Sequence, residues 1–224
     1  MPALTVLQRS PRTLLLTAAA VPVAGWTAHA LYLHRALAQA GRDPLTGLMR
    51  RDAFTHRAQR LVARHGDDVL VAVIDLDHFK DLNDTRGHAA GDQALADFGL
   101  RLQLWTGLGA VAGRLGGDEF ALVLPCPAAR HDWELNHLGA TLNVPARIDG
   151  QLFDVPASVG VATPALLPGV RTLSGLLRAA DAAMYAGKHS GRPIMAGPEH
   201  AATASVNGRR AGRPGTDQPM GAAA

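Results

Sequence analysis

Two acidic pairs have the residue types and the setting for chemistry. Asp75 and Asp77 close the apolar run Val69 to Asp77 (VLVAVIDLD), and Asp118 and Glu119 follow Gly116 and Gly117 between two further apolar runs. Hard carboxylate oxygens on a rigid backbone suit Mg²⁺, which fills the rest of its octahedron with water and phosphate. Two such ions can hold an α-phosphate, activate an attacking hydroxyl and neutralise a pyrophosphate leaving group. One acidic pair alone reads as a solvated turn. Two pairs at a strand end and a turn tip converge readily, because strands lie side by side and tips project past them.

The residues after Asp77 extend this chemistry. His78, Phe79 and Lys80 follow directly, then Asn83, Gly87-His88 and Gly91-Asp92. Backbone N–H groups at a strand-to-loop junction can cradle phosphates, and Lys80 adds a point charge. Asn83 and Asp92 offer the donors and acceptors a guanine edge needs: a carboxylate accepts from N1–H and the exocyclic amine, and an amide serves O6 or N3. Taken singly, Asn83 is a turn residue, Asp92 a helix cap and His88 a surface histidine. Lys188 and Arg192 lie four apart at a helix end, so one turn brings both to one face. Equally, they are cations that favour a helix C-terminus. Gly187-Lys188 is not a P-loop, since Ala182 replaces the required glycine and His189 the Ser or Thr.

The elements that must position these residues alternate. Asp52 can cap a helix to about His65, with Phe54, Ala58, Leu61 and Val62 on one face. The run from Val69 reads as a central strand buried on both faces. A helix is expected from about Ala90 to Trp105, with Leu95, Phe98, Leu102 and Trp105 at three- and four-residue spacing. Residues 110–115 and 120–124 form a hairpin turned by the paired glycines. A weaker helix covers Trp133 to Leu142. Val155 to Ala162 reads as a strand, and Pro156 suggests an edge or a bulge. Thr172 can cap a last helix to about Gly187.

At 224 residues, 47% hydrophobic and 18% charged, the chain can build one core with appendages. A net charge of +3 is no basic stripe, so no nucleic-acid partner is expected. Cys126, the single cysteine, reads as core filler. Three regions differ in composition: 1–42, 43–196 and 197–224. The first has no Asp or Glu, and Leu14 to Leu33 carries no formal charge unless His29 is protonated. A helix of that length spans about 30 Å and reads as a membrane anchor that continues as a connecting helix. A cleaved signal peptide and a helix pairing with a partner chain are the alternatives. The last region, rich in Gly, Ala and Pro, reads as a disordered tail.

Five motifs now stand in order: DPLTGL (Asp43 to Leu48), DLDHFKDLND (Asp75 to Asp84), GHAAGD (Gly87 to Asp92), GGDEF (Gly116 to Phe120) and DAAMYAGKHSGR (Asp181 to Arg192). Over about Asp43 to Pro193 the chain resembles the GGDEF family of diguanylate cyclases. The resemblance implies an α/β (α+β) fold, a central sheet wrapped by helices as in polymerase palms and class III nucleotidyl cyclases. It implies condensation of two GTP into cyclic di-GMP and two pyrophosphates, by metal-assisted attack of a 3′-hydroxyl on an α-phosphate across a homodimer. In that pattern two Mg²⁺ or Mn²⁺ ions are held by Asp75, Asp118 and the Leu76 carbonyl. Asp118 is also the base, Glu119 supports metal or proton transfer, and Lys80 stabilises the transition state. Phe79 and Lys80 match the phosphate loop, Asn83 and Asp92 the guanine contacts, His88 a residue that steadies substrate, and Lys188 and Arg192 distal phosphate contacts. The implied location is the bacterial cytoplasmic membrane with the catalytic domain in the cytoplasm, or the cytoplasm itself.

The chain departs from the family pattern upstream of the hairpin. Where many members carry R-x-x-D, at which product binds and inhibits, this chain has Gly107-Leu108-Gly109-Ala110. No product inhibition through that site is expected. The roughly forty residues before Asp43 are too few for a folded sensory module. Two other functions compete with the cyclase: a catalytically silent GTP-binding module acting through protein–protein contact, and a cyclase making a mixed cyclic dinucleotide.

Overall fold

A computed structural model describes residues 25–33, 41–107, 109–188 and 190–202. The chain divides into two units, Met1–Gly41 and Arg42–Ala224. In the first, residues 25–33 form a helix (α1) with every residue exposed. Among the described residues no helix is long and apolar enough to cross a membrane, so the expected anchor has no support there. Residues 14–24 of that expected span, and the connecting residues 34–40, lie outside the described residues.

The second unit is built on a six-stranded sheet in the order β1-β3-β4-β2-β7-β8. Its strands are β1 (Met49–Arg50), β2 (Val69–Leu76), β3 (Val111–Gly116), β4 (Glu119–Pro125), β7 (Ala157–Ala162) and β8 (Ile194–Met195). Between β4 and β7, β5 (Ala146–Ile148) and β6 (Gln151–Phe153) make a separate two-stranded hairpin. The helices are α2 (Arg51–His65), α3 (Phe79–Arg86), α4 (His88–Thr106), α5 (His131–Leu142), α6 (Leu173–Ala186) and α7 (Pro198–Ala201). β2 runs antiparallel to both neighbours, β4 and β7, while β1 joins β3 and β8 joins β7 in parallel. The sheet is therefore mixed and wrapped by helices, as the sequence implied.

Period-two alternation along β2 explains its unbroken apolar run. Leu70, Ala72, Ile74 and Leu76 pack with Phe98 and Leu102 of α4 and Leu138 of α5. Val69, Val71 and Val73 pack with Phe54 and Val62 of α2 and Leu176 and Met184 of α6. Helix α6 crosses β7 so closely that a Cβ on Gly160 would lie 1.9 Å from the Ala180 carbonyl oxygen. Cys126 is core filler at 1% exposure. Burial, reinforced by the charge of Glu134, pushes its thiol up to about 11.

Several expected boundaries move. Asp52 does not cap α2; Arg50 is the N-cap without a side-chain bond, and Asp52 sits in the first turn, where its charge favours the dipole. Thr172 does cap α6, its Oγ1 accepting from Gly175 N–H at 3.2 Å. Pro156 lies just before β7, at the end of that strand which β8 does not reach. β8 pairs only with Gly160 and Val161, so β7 has β2 alone beside it there and the proline does stand at a local edge. Helix α4 begins at His88 and α5 at His131, each two residues earlier than expected. Helix α7 falls inside the region expected to be disordered, and Ala201 packs against the α2–α6 core. The remainder of that tail, 203–224, lies outside the described residues.

Candidate active site

The C-terminal end of β2 delivers the first acidic pair. Asp75 is 1% exposed and Asp77 5%. Across the sheet Asp75 pairs with Glu119 of β4 on one side and Ser158 of β7 on the other. Directly opposed residues hold their Cβ atoms about 5 Å apart, so Asp75 and Glu119 are immediate neighbours. One residue on, Leu76 N–H donates to the Asp118 carbonyl at 3.2 Å. The two acidic pairs, remote in sequence, thus share one end of the sheet.

Asp77 is the tethered member: the Ser158 hydroxyl reaches both its carboxylate oxygens, at 2.8 and 3.0 Å, and its N–H donates to the Pro156 carbonyl at 2.8 Å. Asp75 receives the ammonium of Lys188 at 2.9 Å. That lysine was expected at a distal phosphate, and the fold brings it to the acidic end of β2. Arg192 is not brought there. It lines a groove against α5 with Asp132, Asn136 and Asn143.

The hairpin tip is strapped from behind. β3 slips register between Arg114 and Gly116, and Gly117 takes a φ of 22°. Such an irregularity re-aims side chains beside a site. Arg114 Nε donates to the Gly117 carbonyl at 2.9 Å, and its Nη1 to Asp43 Oδ1 at 3.1 Å. Arg51 donates to the Leu115 carbonyl through Nε at 2.9 Å and Nη2 at 2.6 Å. Burial raises the Asp43 pKa, but the hydrogen bonds from Thr46 and the Arg114 guanidinium outweigh it and hold the carboxyl below its usual range. Sequence reading gave these residues no role. Asp43 opens the DPLTGL motif, which is a signal; Arg51 and Arg114 carry none.

His78 N-caps α3 in the left-handed region, at φ 56°. The expected phosphate loop is therefore short, and Phe79 and Lys80 form the first turn of a helix. Opening N–H groups of a helix lack intrahelical partners and favour anions. Helices α3 and α4 meet at Gly87 in an elbow that carries Asn83 on one arm and Asp92 on the other. A Cβ on Gly91 would stand 2.0 Å from Asn83 Oδ1, so the Asn83 amide lies directly over the first turn of α4. Asp92 is exposed and inside that helix rather than at its cap; His88 is exposed at its first residue.

Asp75, Asp118 and the Leu76 carbonyl offer hard oxygens at one strand end, a donor set that fits Mg²⁺ or Mn²⁺. Among the described residues no three His, Cys, Asp or Glu side chains converge as a ready-made cage. Mg²⁺ commonly binds through one or two carboxylates and completes its shell with substrate phosphates.

The model of the family described as diguanylate cyclase, GGDEF domain, matches residues 40–193. The chain belongs to the GGDEF family. This GGDEF protein is 48% identical over 172 residues to an uncharacterized 19.3 kDa protein of Streptomyces ambofaciens, covering 77% of this chain and 91% of that one. It is 35% identical over 161 residues to the diguanylate cyclase TpbB of Pseudomonas aeruginosa, covering 69% of this chain and 36% of TpbB. The GGDEF domain of TpbB superimposes with a TM-score of 0.63 at 33% identity, over 71% of this chain and 96% of that one. The coiled coil and GGDEF domain of DgcB from Caulobacter crescentus, solved with c-di-GMP, gives 0.69 at 28% identity, over 81% of this chain and 99% of that one. The match thus spans nearly all of the Streptomyces relative but about a third of TpbB.

Proposed function

We propose that this GGDEF protein is a diguanylate cyclase, joining two GTP into cyclic di-GMP with release of two pyrophosphates. The observation that carries the reading is the Leu76 N–H to Asp118 carbonyl bond at 3.2 Å, which joins the two acidic strand ends. Asp75, Asp118 and the Leu76 carbonyl would hold two Mg²⁺ or Mn²⁺ ions. Bound there, the metals supply charge neutralisation at the α-phosphate and the leaving pyrophosphate. Asp118, half-buried at the tip, takes the proton of the 3′-hydroxyl, and buried Glu119 beside it supports metal or proton transfer. Lys80 and the opening turn of α3 take the phosphates, with His88 steadying the nucleotide. Asn83 and Asp92 read guanine across the elbow. Lys188 lies close enough to Asp75 to balance charge at the metal end, and Arg192 serves a phosphate only after leaving its groove against α5.

One domain binds one nucleotide, so two copies face each other and each 3′-hydroxyl attacks the partner's α-phosphate. Incubating the purified chain with Mg²⁺ and GTP or ATP, then resolving products by chromatography, tests the reading. Cyclic di-GMP from GTP alone supports it. A mixed dinucleotide would reassign the base specificity, and GTP binding without product would leave a binding module.

A further inference from the structure

The β5–β6 hairpin lies outside the main sheet, yet it grips the elbow that carries Asn83 and Asp92. At its tip, Gln93 and Asp149 bond reciprocally: Gln93 Nε2 donates to Asp149 Oδ1 at 2.8 Å, and Asp149 N–H donates to Gln93 Oε1 at 2.8 Å. Gln93 is the residue after Asp92. On the other arm, the Arg86 guanidinium sits 4.1 Å from the centroid of the Phe153 ring. The hairpin therefore touches α3 three residues beyond Asn83 and α4 one residue beyond Asp92.

The hairpin is itself rigid enough to act as a brace. Asp149 and Gly150 form a two-residue turn with φ of 49° and 80°, the geometry that matches the twist of a tight hairpin. Ala146 and Ile148 are buried at 2% and 1% in the core beside α4. Arg101, roughly two turns along α4 from Gln93, donates to the carbonyls of Leu142 at 3.2 Å and Pro145 at 2.9 Å, and also to that of Val144. The same helix is thus held to the hairpin at its root and at its tip. The elbow has no slack either, because Asn83 Oδ1 already occupies the space where a Gly91 side chain would be. A small roll of the first turn of α4 must move Asp92 relative to Asn83.

We propose that Gln93 and Asp149 are positioning residues for base recognition: their reciprocal pair sets the angle at which Asp92 and Asn83 meet the guanine edge. This rests on the reading of those two residues as guanine contacts. Core packing alone would keep the hairpin docked, whereas the paired amide and carboxylate fix the rotation of the turn that bears Asp92.

The test compares Gln93→Ala and Asp149→Asn with the unmodified chain. Asparagine keeps the backbone N–H and an Oδ1 acceptor and tolerates a positive φ, so Asp149→Asn should preserve the pair. Mg²⁺-dependent binding of 3′-deoxy-GTP and 3′-deoxy-ITP, which lack the attacking hydroxyl, is read by competition with a fluorescent GTP analogue. Inosine lacks the exocyclic amine that Asp92 would accept from. The unmodified chain should prefer guanine to inosine and to adenine. Gln93→Ala should narrow the guanine-to-inosine ratio about three- to tenfold, raise KM for GTP by a similar factor and leave kcat within about twofold, with Asp149→Asn behaving as the unmodified chain. The ratio is insensitive to any unfolded fraction. An unchanged ratio in Gln93→Ala, or an equal loss of both nucleotides, overturns the proposal. Failure of the unmodified chain to prefer GTP over ATP overturns the guanine reading itself.

Discussion

The ammonium of Lys188 stands 2.9 Å from Oδ1 of Asp75 across 113 residues of sequence. One partner is almost fully buried, at 2% side-chain exposure, and the other only partly, at 28%. A carboxylate in that setting gains from any cation brought near it, and a divalent metal bound to the same group would serve the same electrostatic need. Lys188→Met should therefore lower stability by about 1–3 kcal/mol. Added Mg²⁺ should raise the thermal midpoint more in this variant than in the unmodified chain. Equal Mg²⁺ responses would show that the lysine and the metal do not share Asp75.

Asp118 is assigned the proton from the 3′-hydroxyl, a role worth about 10²- to 10⁴-fold in rate. Asp118→Ala should lose turnover by at least that factor while GTP remains bound. Single-turnover assays alongside equilibrium binding separate the two effects, and retained turnover would remove the base from this residue.

Asp43 gives the strap behind the hairpin a pH signature. Its folded pKa lies below the ordinary value. A depressed carboxylate contributes stability that is present above the unfolded value, about 3.9, and is lost as pH falls through the folded one. Asp43→Asn should be less stable than the unmodified chain at pH 7, and the gap between their urea midpoints should close below about pH 4. A gap independent of pH would mean that charge is not what Asp43 supplies to Arg114.

Gly107, Gly109 and Ala110 carry neither the arginine nor the aspartate of the R-x-x-D pattern. Initial rates should therefore be unchanged by added cyclic di-GMP at concentrations well above the enzyme. Strong inhibition would locate a product site built from other residues.

Some of this protein is determined by local sequence alone. An unbroken apolar run makes Val69 to Leu76 a central strand, and three- and four-residue spacing makes α4 a helix. The hairpin expected at the paired glycines forms, but Gly116 stays in β3 and the turn itself is Gly117-Asp118. The acidic pairs and the cap at Thr172 are legible because residue type and spacing suffice, whereas Asn83 and Asp92, taken singly, read as a turn residue and a helix cap and stand out only within the motif pattern. The β5–β6 hairpin was not expected from sequence: Asp149-Gly150 is a two-residue turn signal, but its flanking strands of three residues each are too short to show a period. Tertiary structure decided the rest. The Lys188 contact with Asp75, the Arg114 strap from Asp43 to Gly117 and the Gln93–Asp149 pair each join residues far apart in sequence. Charged and amide side chains carry no mark of their partner, because the energy that selects it depends on distance and burial, which arise only when the helices have closed over the sheet.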